Sequence, residues 1–324
     1  MYNSPCRIFL IDAIAQPKMG ESNRVDTKNA LYKIVYFAGT GGTALAAACF
    51  EDILKNEGCR VSSYRIGRDT DRDLSEGHDF LLLLFPVHAF NAPEPVYRWI
   101  EKQPAVRGKK AAVISVSGGG EMFPNKASRL SSIRMLEKKG YRVVYESMLV
   151  MPPNCMTPVK PIVAKMLLDV LPEKVRDIVK DLLEGKIARS RLSTADRIAS
   201  RLGEMEKPSA KIWGRCIQST DACTSCGWCS ANCPAGNIKM SNGKPRFGRK
   251  CSMCLGCIYG CPEKALIPGI GKFMVLKEGY DINKMQLPAP SGRLEKSKTA
   301  VLKTIKKEAK GIWWLGLRKY LSGR

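Results

Sequence analysis

Short apolar segments alternate with amphipathic segments through the first half of the chain. Five apolar segments have the length and side chains of β-strands and lie at residues 33–38, 60–66, 80–85, 110–117 and 142–150. Apolar residues at helical spacing predict helices at residues 43–57, 94–103 and 125–139. Strands that alternate with helices in this way predict an α/β fold with a doubly wound parallel sheet.

The segment between the first strand and the first helix has the residue types of a phosphate-binding loop. Residues 38–43 read Ala-Gly-Thr-Gly-Gly-Thr, so the backbone can approach an anion closely and two hydroxyls can donate to it. A Walker A loop is excluded because no Gly-Lys-Ser/Thr ending is present. A dinucleotide site is disfavoured, since Cys59, Arg60 and Val61 stand where an acidic residue would hold the ribose.

This loop resembles the FMN-phosphate loop of flavodoxins, hydroxyl-x-Thr-Gly-x-Thr, through Thr40, Gly41 and Thr43, although Ala38 replaces the first hydroxyl. The resemblance extends over residues 31–155 and implies a five-stranded parallel flavodoxin-like sheet. It also implies that FMN lies outside the carboxyl ends of the strands. The implied flavin contacts fall in three loops: Gly39, Thr40, Gly41, Gly42 and Thr43; Pro86, Val87, His88, Ala89, Phe90 and Asn91; and Ser117, Gly118, Gly119, Gly120 and Glu121.

Two of these positions have alternative interpretations. His88 or Phe90 could stack on the flavin ring, but a single loop histidine is also a common structural residue. Glu121 could lie near the flavin or could be a solvated loop side chain. The sequence leaves both alternatives open.

Eight cysteines in the second half form two copies of the pattern C-x2-C-x2-C-x3-C-P. A zinc site needs only four ligands, and a disulfide framework is typical of short secreted chains. The repeated pattern resembles two-cluster bacterial ferredoxins over residues 215–275, in which the fourth cysteine of each run binds the other cluster. The resemblance therefore assigns one [4Fe–4S] cluster to Cys223, Cys226, Cys229 and Cys261, and the other to Cys251, Cys254, Cys257 and Cys233.

The chain is strongly basic, with a formal net charge of +23 before any cluster is counted. Between Cys223 and Pro262 there are no acidic residues and five basic ones, namely Lys239, Lys244, Arg246, Arg249 and Lys250. This charge favours cluster reduction and docking to an acidic redox protein, with a solvated basic hairpin as the alternative. Nucleic acid is not expected as a partner, because no nucleic-acid-binding module is recognisable.

Residues 293–324 form a basic tail with ten Lys or Arg and two Glu. A helix here would place apolar residues on one face, namely Leu302, Ile305, Ala309, Ile312, Trp313 and Tyr320. Such a face could contact an anionic membrane peripherally, or it could dock on the protein itself or a partner.

The expected location is cytoplasmic, with peripheral contact at the inner membrane face as an option. No run of about 18 apolar residues is present to span a bilayer. The five cysteines outside the motif have no close pair spacing, which predicts reduced thiols at Cys6, Cys49, Cys59, Cys155 and Cys216.

The predicted domains are an N-terminal extension (1–30), a flavodoxin-like FMN domain with its following helix (31–185), a helical bridge (186–214), a small α+β ferredoxin-like domain with two [4Fe–4S] clusters (215–275) and a basic amphipathic tail (276–324). The whole chain resembles the flavodoxin–ferredoxin fusion proteins of anaerobic bacteria and archaea. That resemblance implies electron transfer between a redox partner, two [4Fe–4S] clusters and FMN. The alternatives are a flavin-dependent reductase of a small acceptor such as a quinone, or a non-catalytic redox or interaction protein with an empty flavodoxin shell.

Overall fold

A five-stranded parallel sheet organises the first half of the chain. The computed structural model describes residues 30–67, 77–204, 206–285 and 312–321. The strands are β1 (Leu31–Tyr36), β2 (Arg60–Arg65), β3 (Phe80–Pro86), β4 (Lys110–Ser117) and β5 (Arg142–Val150). Their order is β2-β1-β3-β4-β5, with parallel pairing throughout. This is the flavodoxin-like order, whose switch point lies between β1 and β3.

Helices cover both faces of the sheet and create two apolar cores. They are α1 (Gly42–Asn56), α2 (Glu94–Lys102), α3 (Leu130–Lys138), α4 (Pro161–Asp169) and α5 (Leu171–Leu183). Residues of α1 and α5 pack on one face with Leu82, whereas residues of α2 and α3 pack on the other face with Leu83. Because successive strand residues point to opposite faces, β3 supplies both cores and reads as one continuous apolar run.

Two helices connect the sheet to a small cysteine-rich module. They are α6 (Thr194–Glu204) and α7 (Glu206–Arg215). The module contains β6 (Gln218–Ser219), α8 (Trp228–Ala231), β7 (Ile238–Ser241), β8 (Lys244–Phe247), α9 (Gly256–Gly260) and β9 (Leu266–Ile267). Strand β6 pairs antiparallel with β9, and β7 with β8 forms a hairpin. Helix α10 (Ile282–Met285) and helix α11 (Ile312–Leu321) follow in the chain.

Most element bounds agree with the sequence-based expectations, and two of them differ. Strand β1 ends at Tyr36 rather than at Ala38, whose carbonyl accepts a hydrogen bond from the guanidinium of Arg65 at 2.9 Å. Helix α3 begins at Leu130 rather than at Asn125. The side-chain amide of Asn125 donates to Ser117 Oγ at 3.1 Å and holds a short 3-10 turn there instead.

Helix α11 docks on the chain itself through Leu317, which is buried with Val150 and Val163. This contact corresponds to one of the two expectations for the basic tail. The remaining tail residues 286–311 and 322–324, and the N-terminal extension up to residue 29, lie outside the described residues. Across the ranges that the structure describes, no helix is long and apolar enough to cross a membrane.

The cysteines outside the repeated motif differ in state. Cys59, Cys155 and Cys216 are not disulfide-bonded, which agrees with the prediction of reduced thiols. Cys49 is disulfide-bonded, so the prediction of a reduced thiol at that position is wrong. A disulfide depends on proximity in space, which spacing along the chain does not reveal. Cys6 lies outside the described residues.

Candidate functional site

The loop between β1 and α1 lies at the carboxyl edge of the sheet. Gly41 precedes α1 with φ 101°, a conformation that favours glycine, and no side chain caps the helix. The first turn contains no acidic residue. The hydroxyl of Thr40 accepts a hydrogen bond from the Asn154 side-chain amide at 2.7 Å, and Thr43 is buried. An uncapped helix N-terminus beside two hydroxyls is favourable for a phosphate group.

A cavity of about 770 Å³ opens in front of this loop. Its volume lies within the range of roughly 300–1,000 Å³ that is typical of cofactor and ligand sites. Most of the residues predicted to contact a flavin line it: Gly39, Thr40, Gly42, Thr43, Pro86, Val87, His88, Ala89, Phe90, Asn91, Ser117, Gly118 and Gly119. Gly41, Gly120 and Glu121 are not among the described residues that form its wall.

Glu121 is instead an ion-pair partner of Arg129, whose side chain is fully buried. The same guanidinium donates to Glu146 Oε2 at 2.8 Å, to Ser115 Oγ at 2.8 Å and to Ser190 Oγ at 3.0 Å. These acceptors come from β4, β5 and the segment before α6. The network therefore ties the loop after β4 to three other parts of the fold.

The loop after β3 has a backbone conformation that is uncommon outside glycine. Ala89 and Phe90 have φ of 43° and 62°. Asn91 fixes the loop, because its side-chain amide donates to the Ser200 carbonyl at 2.7 Å and its Oδ1 accepts from the Ser200 hydroxyl at 2.7 Å. Ser200 belongs to α6, so this helix supports the loop. A strained backbone conformation of this kind persists where the surrounding contacts hold it in place.

His88 joins the same loop to the cysteine-rich module. Its Nδ1 lies 2.9 Å from the backbone carbonyl oxygen of Ser252. Since a carbonyl can only accept, we assign the ring proton to Nδ1. Burial lowers the pKa of His88 to about 4, so the ring is neutral at pH 7. His88 therefore holds the two parts of the chain together without carrying a charge.

The loop after β5 forms a further wall of the cavity that the sequence analysis did not identify. Residues 151–160 all line it, and Asn154 reaches Thr40 as described above. A Cβ atom at Gly118 would lie 2.6 Å from the Cβ of Pro153, so glycine allows the two loops to close on each other. Its position could have indicated this role, because the loop follows the carboxyl end of a parallel strand, as the other loops of the cavity do.

Seven of the eight motif cysteines fall into two neighbouring groups. Cys229 has Cys223 and Cys261 as electrostatic neighbours, whereas Cys254 has Cys251 and Cys233. Each group thus combines cysteines of one run with the fourth cysteine of the other run. This is the grouping that the ferredoxin resemblance implies, and the assignment of clusters to it stays a prediction.

Backbone amides support the two crossing cysteines in the same way. The amide of Asn237 donates to Cys233 Sγ at 3.3 Å, and the amide of Ala265 donates to Cys261 Sγ at 3.3 Å. Such donors favour the thiolate form and tune the potential of a bound cluster. Burial raises the pKa of Cys254 to about 12, so forming its thiolate costs free energy. A coordinated metal offsets that cost by binding the thiolate.

No group of three or more His, Cys, Asp or Glu side chains converges on a single-metal site within the described ranges. A [4Fe–4S] cube needs a different arrangement, since each thiolate binds a different iron and the ligands surround the cube. Four cysteine thiolates are a soft donor set of the kind that binds zinc or iron–sulfur clusters. The residues present therefore fit two cubes, each held by four thiolates.

The second cysteine run lies directly on the phosphate-type loop. A Cβ atom at Gly39 would stand 2.5 Å from the carbonyl oxygen of Cys254, and one at Gly256 would stand 2.8 Å from the carbonyl oxygen of Gly39. Cys251 and Cys254 also line the cavity. The two glycines thus allow cluster ligands and the loop at the sheet edge to share one cavity wall.

Comparison with known proteins gives structural similarity only. No protein-family model matches the chain, and no curated protein matches it. A flavodoxin of Streptococcus pneumonia TIGR4 is similar over 47% of this chain and 99% of its own, with 18% identity and a TM-score of 0.36. An archaeal flavodoxin is similar over 47% of this chain and 98% of its own, with 14% identity and a TM-score of 0.33. General stress protein 14 of Treponema denticola, solved in complex with FMN, covers 48% of this chain and 98% of its own, with 14% identity and a TM-score of 0.35.

Proposed function

We propose that this chain is an electron-transfer iron–sulfur flavoprotein that binds FMN and two [4Fe–4S] clusters. The observation that carries the proposal is the close contact between Gly39 of the phosphate-type loop and Cys254 of the second cysteine run, at the wall of one cavity. When bound, FMN accepts one or two electrons and each cluster transfers one, so together they couple two-electron to one-electron chemistry.

Four loops of this chain would hold the FMN. Thr40, Thr43 and the N-terminal amides of α1 would bind its phosphate. The loops after β3 and β4 and residues 151–160 would enclose its ring system, since all of them line the cavity. The Nδ1 proton of His88 is already donated to Ser252, so this atom holds the protein loops and not the cofactor.

A flavin-dependent reductase of a small acceptor such as a quinone is the second candidate. Phe90 lines the cavity and is 38% exposed, which gives the cavity an apolar edge in contact with solvent. A planar apolar acceptor could bind there. Turnover of a diffusible quinone by the reduced protein would support this candidate over a carrier that reacts only with proteins.

The cofactor content is the first test of the proposal. The protein should be purified without oxygen, and iron, sulfide and flavin should be measured per chain. Two four-iron clusters and one flavin require about eight iron atoms per flavin. A chain with this iron content and no flavin would contradict the proposal and would leave the empty flavodoxin shell as the correct alternative.

Loss of the loop hydroxyls should weaken flavin binding selectively. Thr43→Val together with Thr40→Val removes hydrogen bonds to a charged phosphate, each of which contributes about 1.5–3 kcal/mol. We expect the flavin dissociation constant to rise by about a hundredfold or more while iron content is unchanged. Thr194→Val, at the exposed first residue of α6, is the matched control. Loss of iron together with flavin would show that the two threonines support the fold instead.

A further inference from the structure

We propose that the two clusters have different roles, and that an acidic one-electron carrier protein docks beside only one of them. The inner site is defined as Cys251, Cys254, Cys257 and Cys233, and the outer site as Cys223, Cys226, Cys229 and Cys261. The basic hairpin is β7 with β8 and the following residues Arg249 and Lys250. The inference rests on the proposed function and adds the partner and the order of electron transfer.

The inner site is enclosed by the rest of the chain. Cys254 contacts Gly39 at the cavity wall, as described above. A Cβ atom at Gly214 of α7 would lie 2.9 Å from Cys251 Sγ, so a helix covers this ligand closely. Cys251 and Cys254 are the motif cysteines that line the cavity. The inner site therefore contacts the candidate flavin site and is poorly placed to meet a large partner.

The outer site has a ligand at the surface. Cys226 is the one exposed cysteine among the eight of the motif, all of which are described. Cys229 of the outer site is an electrostatic neighbour of Cys257 of the inner site, so the two sites adjoin. An electron that enters at Cys226 thus has a short route toward the cavity through the inner site.

The basic hairpin is attached to the loop that carries Cys226. The hydroxyl of Ser225 donates to the Gly243 carbonyl in the turn of the hairpin. The ammonium group of Lys244 donates to the Thr220 carbonyl at 3.4 Å. These contacts attach the basic hairpin to the loop that carries Cys226, so the hairpin lies beside the outer site.

The arrangement of charges on this hairpin reduces the stability of the isolated protein. Lys239 and Arg246 are directly opposite each other in the antiparallel register, and both are exposed. A like-charge pair in this position is destabilising. Within the described part of the chain, no ion pair offsets Lys239, Arg246, Arg249 or Lys250. The nearest acidic residues in sequence are Asp221 and Glu263, which lie outside the two cysteine runs.

An acidic redox protein is the occupant that fits both the charge and the position of this surface. Complementary charge accelerates and orients the encounter of two proteins. A membrane surface or a nucleic acid is also anionic, but neither supplies an electron to a cluster ligand at the surface. Because the basic hairpin lies beside the exposed ligand Cys226, a carrier protein is the favoured occupant.

The electron balance of the route is simple. In each encounter the reduced carrier loses one electron to the outer site, and that electron passes through the inner site to the flavin. No bond to the carrier is formed or broken. Two encounters supply the two electrons of full flavin reduction, and the accompanying protons come from water.

Charge reversal on the hairpin tests this inference. The variant combines Lys239→Glu with Arg246→Glu, and the control combines Arg134→Glu on α3 with Arg176→Glu on α5, which are exposed and change the net charge equally. The probe is a reduced acidic two-cluster bacterial ferredoxin. Stopped-flow bleaching of the flavin of the holoprotein at several ferredoxin concentrations gives the second-order rate constant, and calorimetry with oxidised ferredoxin gives the dissociation constant.

We expect the rate constant of the hairpin variant to fall by about tenfold or more at low salt, with the difference shrinking at high salt. Photoreduction by uncharged 5-deazariboflavin should proceed equally in both variants and in the unchanged protein. An unaltered rate with ferredoxin, or an equal loss in the control, would overturn the inference. So would binding to phosphatidylserine vesicles without any effect on reduction by ferredoxin.

Iron and flavin should be measured per chain in every sample. An unchanged protein that lacks either cofactor contradicts the proposed function itself. A protein that holds both cofactors but shows no dependence on Lys239 and Arg246 contradicts only the docking inference.

Discussion

At the scale of single residues, the fully buried Arg129 connects four parts of the fold. Its partner Glu121 was a candidate flavin contact or a solvated residue from sequence alone. The structure places this carboxylate in an ion pair, outside the described cavity wall. The pairing was not predictable, because Glu121, Glu146 and Ser190 are distant in the chain and no local pattern links them.

Removing the buried guanidinium should destabilise the protein strongly. Arg129→Met removes the donor to Glu146 Oε2 from a buried ion pair, and among the described residues only Arg189, 3.5 Å from Glu146 Oε1, then remains as an ion-pair partner. Breaking a buried pair costs about 3–5 kcal/mol. Urea unfolding of the anaerobic holoprotein measures this change in the free energy of unfolding. Arg134→Met, at an exposed position of α3, is the control and should change the free energy of unfolding by less than about 0.5 kcal/mol.

At the scale of secondary-structure elements, periodicity in the sequence predicted the sheet well. The bounds of β4 and β5 are as expected, and the other strands shift by only a few residues. Alternating and continuous apolar patterns are local properties, so they are visible without the tertiary structure. The role of residues 151–160 as a cavity wall was missed, because a loop contributes no periodic pattern.

The contact between elements α9 and the β1–α1 loop should control electron transfer within the molecule. Gly256→Ala places a Cβ atom 2.8 Å from the carbonyl oxygen of Gly39, so the two elements must separate. We expect slower passage of electrons from the clusters to the flavin, measured as flavin bleaching after rapid cluster reduction, with iron and flavin content retained.

Gly271→Ala is the matched control in the same module. Its Cβ atom would meet only the Met253 methyl at 3.9 Å, which is an ordinary contact. Equal rates in the two variants would contradict an electron path through the contact between Gly256 and Gly39.

At the scale of the whole molecule, the cavity is assembled from parts that are far apart in the sequence. Leu317 of α11 and Tyr280 line it together with the loops of the sheet and the second cysteine run. A Cβ atom built on Gly316 of α11 would meet the Gly119 carbonyl oxygen. The same Cβ atom would lie 3.2 Å from the Met122 sulfur. The C-terminal helix is therefore part of the candidate flavin site.

Gly316→Val should loosen this closure of the cavity. Its side chain would meet the Gly119 carbonyl, so α11 must move away from the loop after β4. We expect weaker flavin retention during gel filtration, with unchanged iron content because the atoms nearest to this Cβ belong to Gly119 and Met122, outside the cysteine motif. Full retention of flavin would show that α11 is dispensable for the site.

The sequence by itself determined the features whose signals are local. The apolar periodicity predicted the α/β sheet, the small residues at 38–43 predicted the phosphate-type loop, and the cysteine spacing predicted two cluster sites. Only the tertiary structure decided that Cys254 lies on Gly39 and that His88 donates to Ser252. These contacts join residues more than 160 positions apart, so they depend on how the completed elements pack and have no signature in the chain itself.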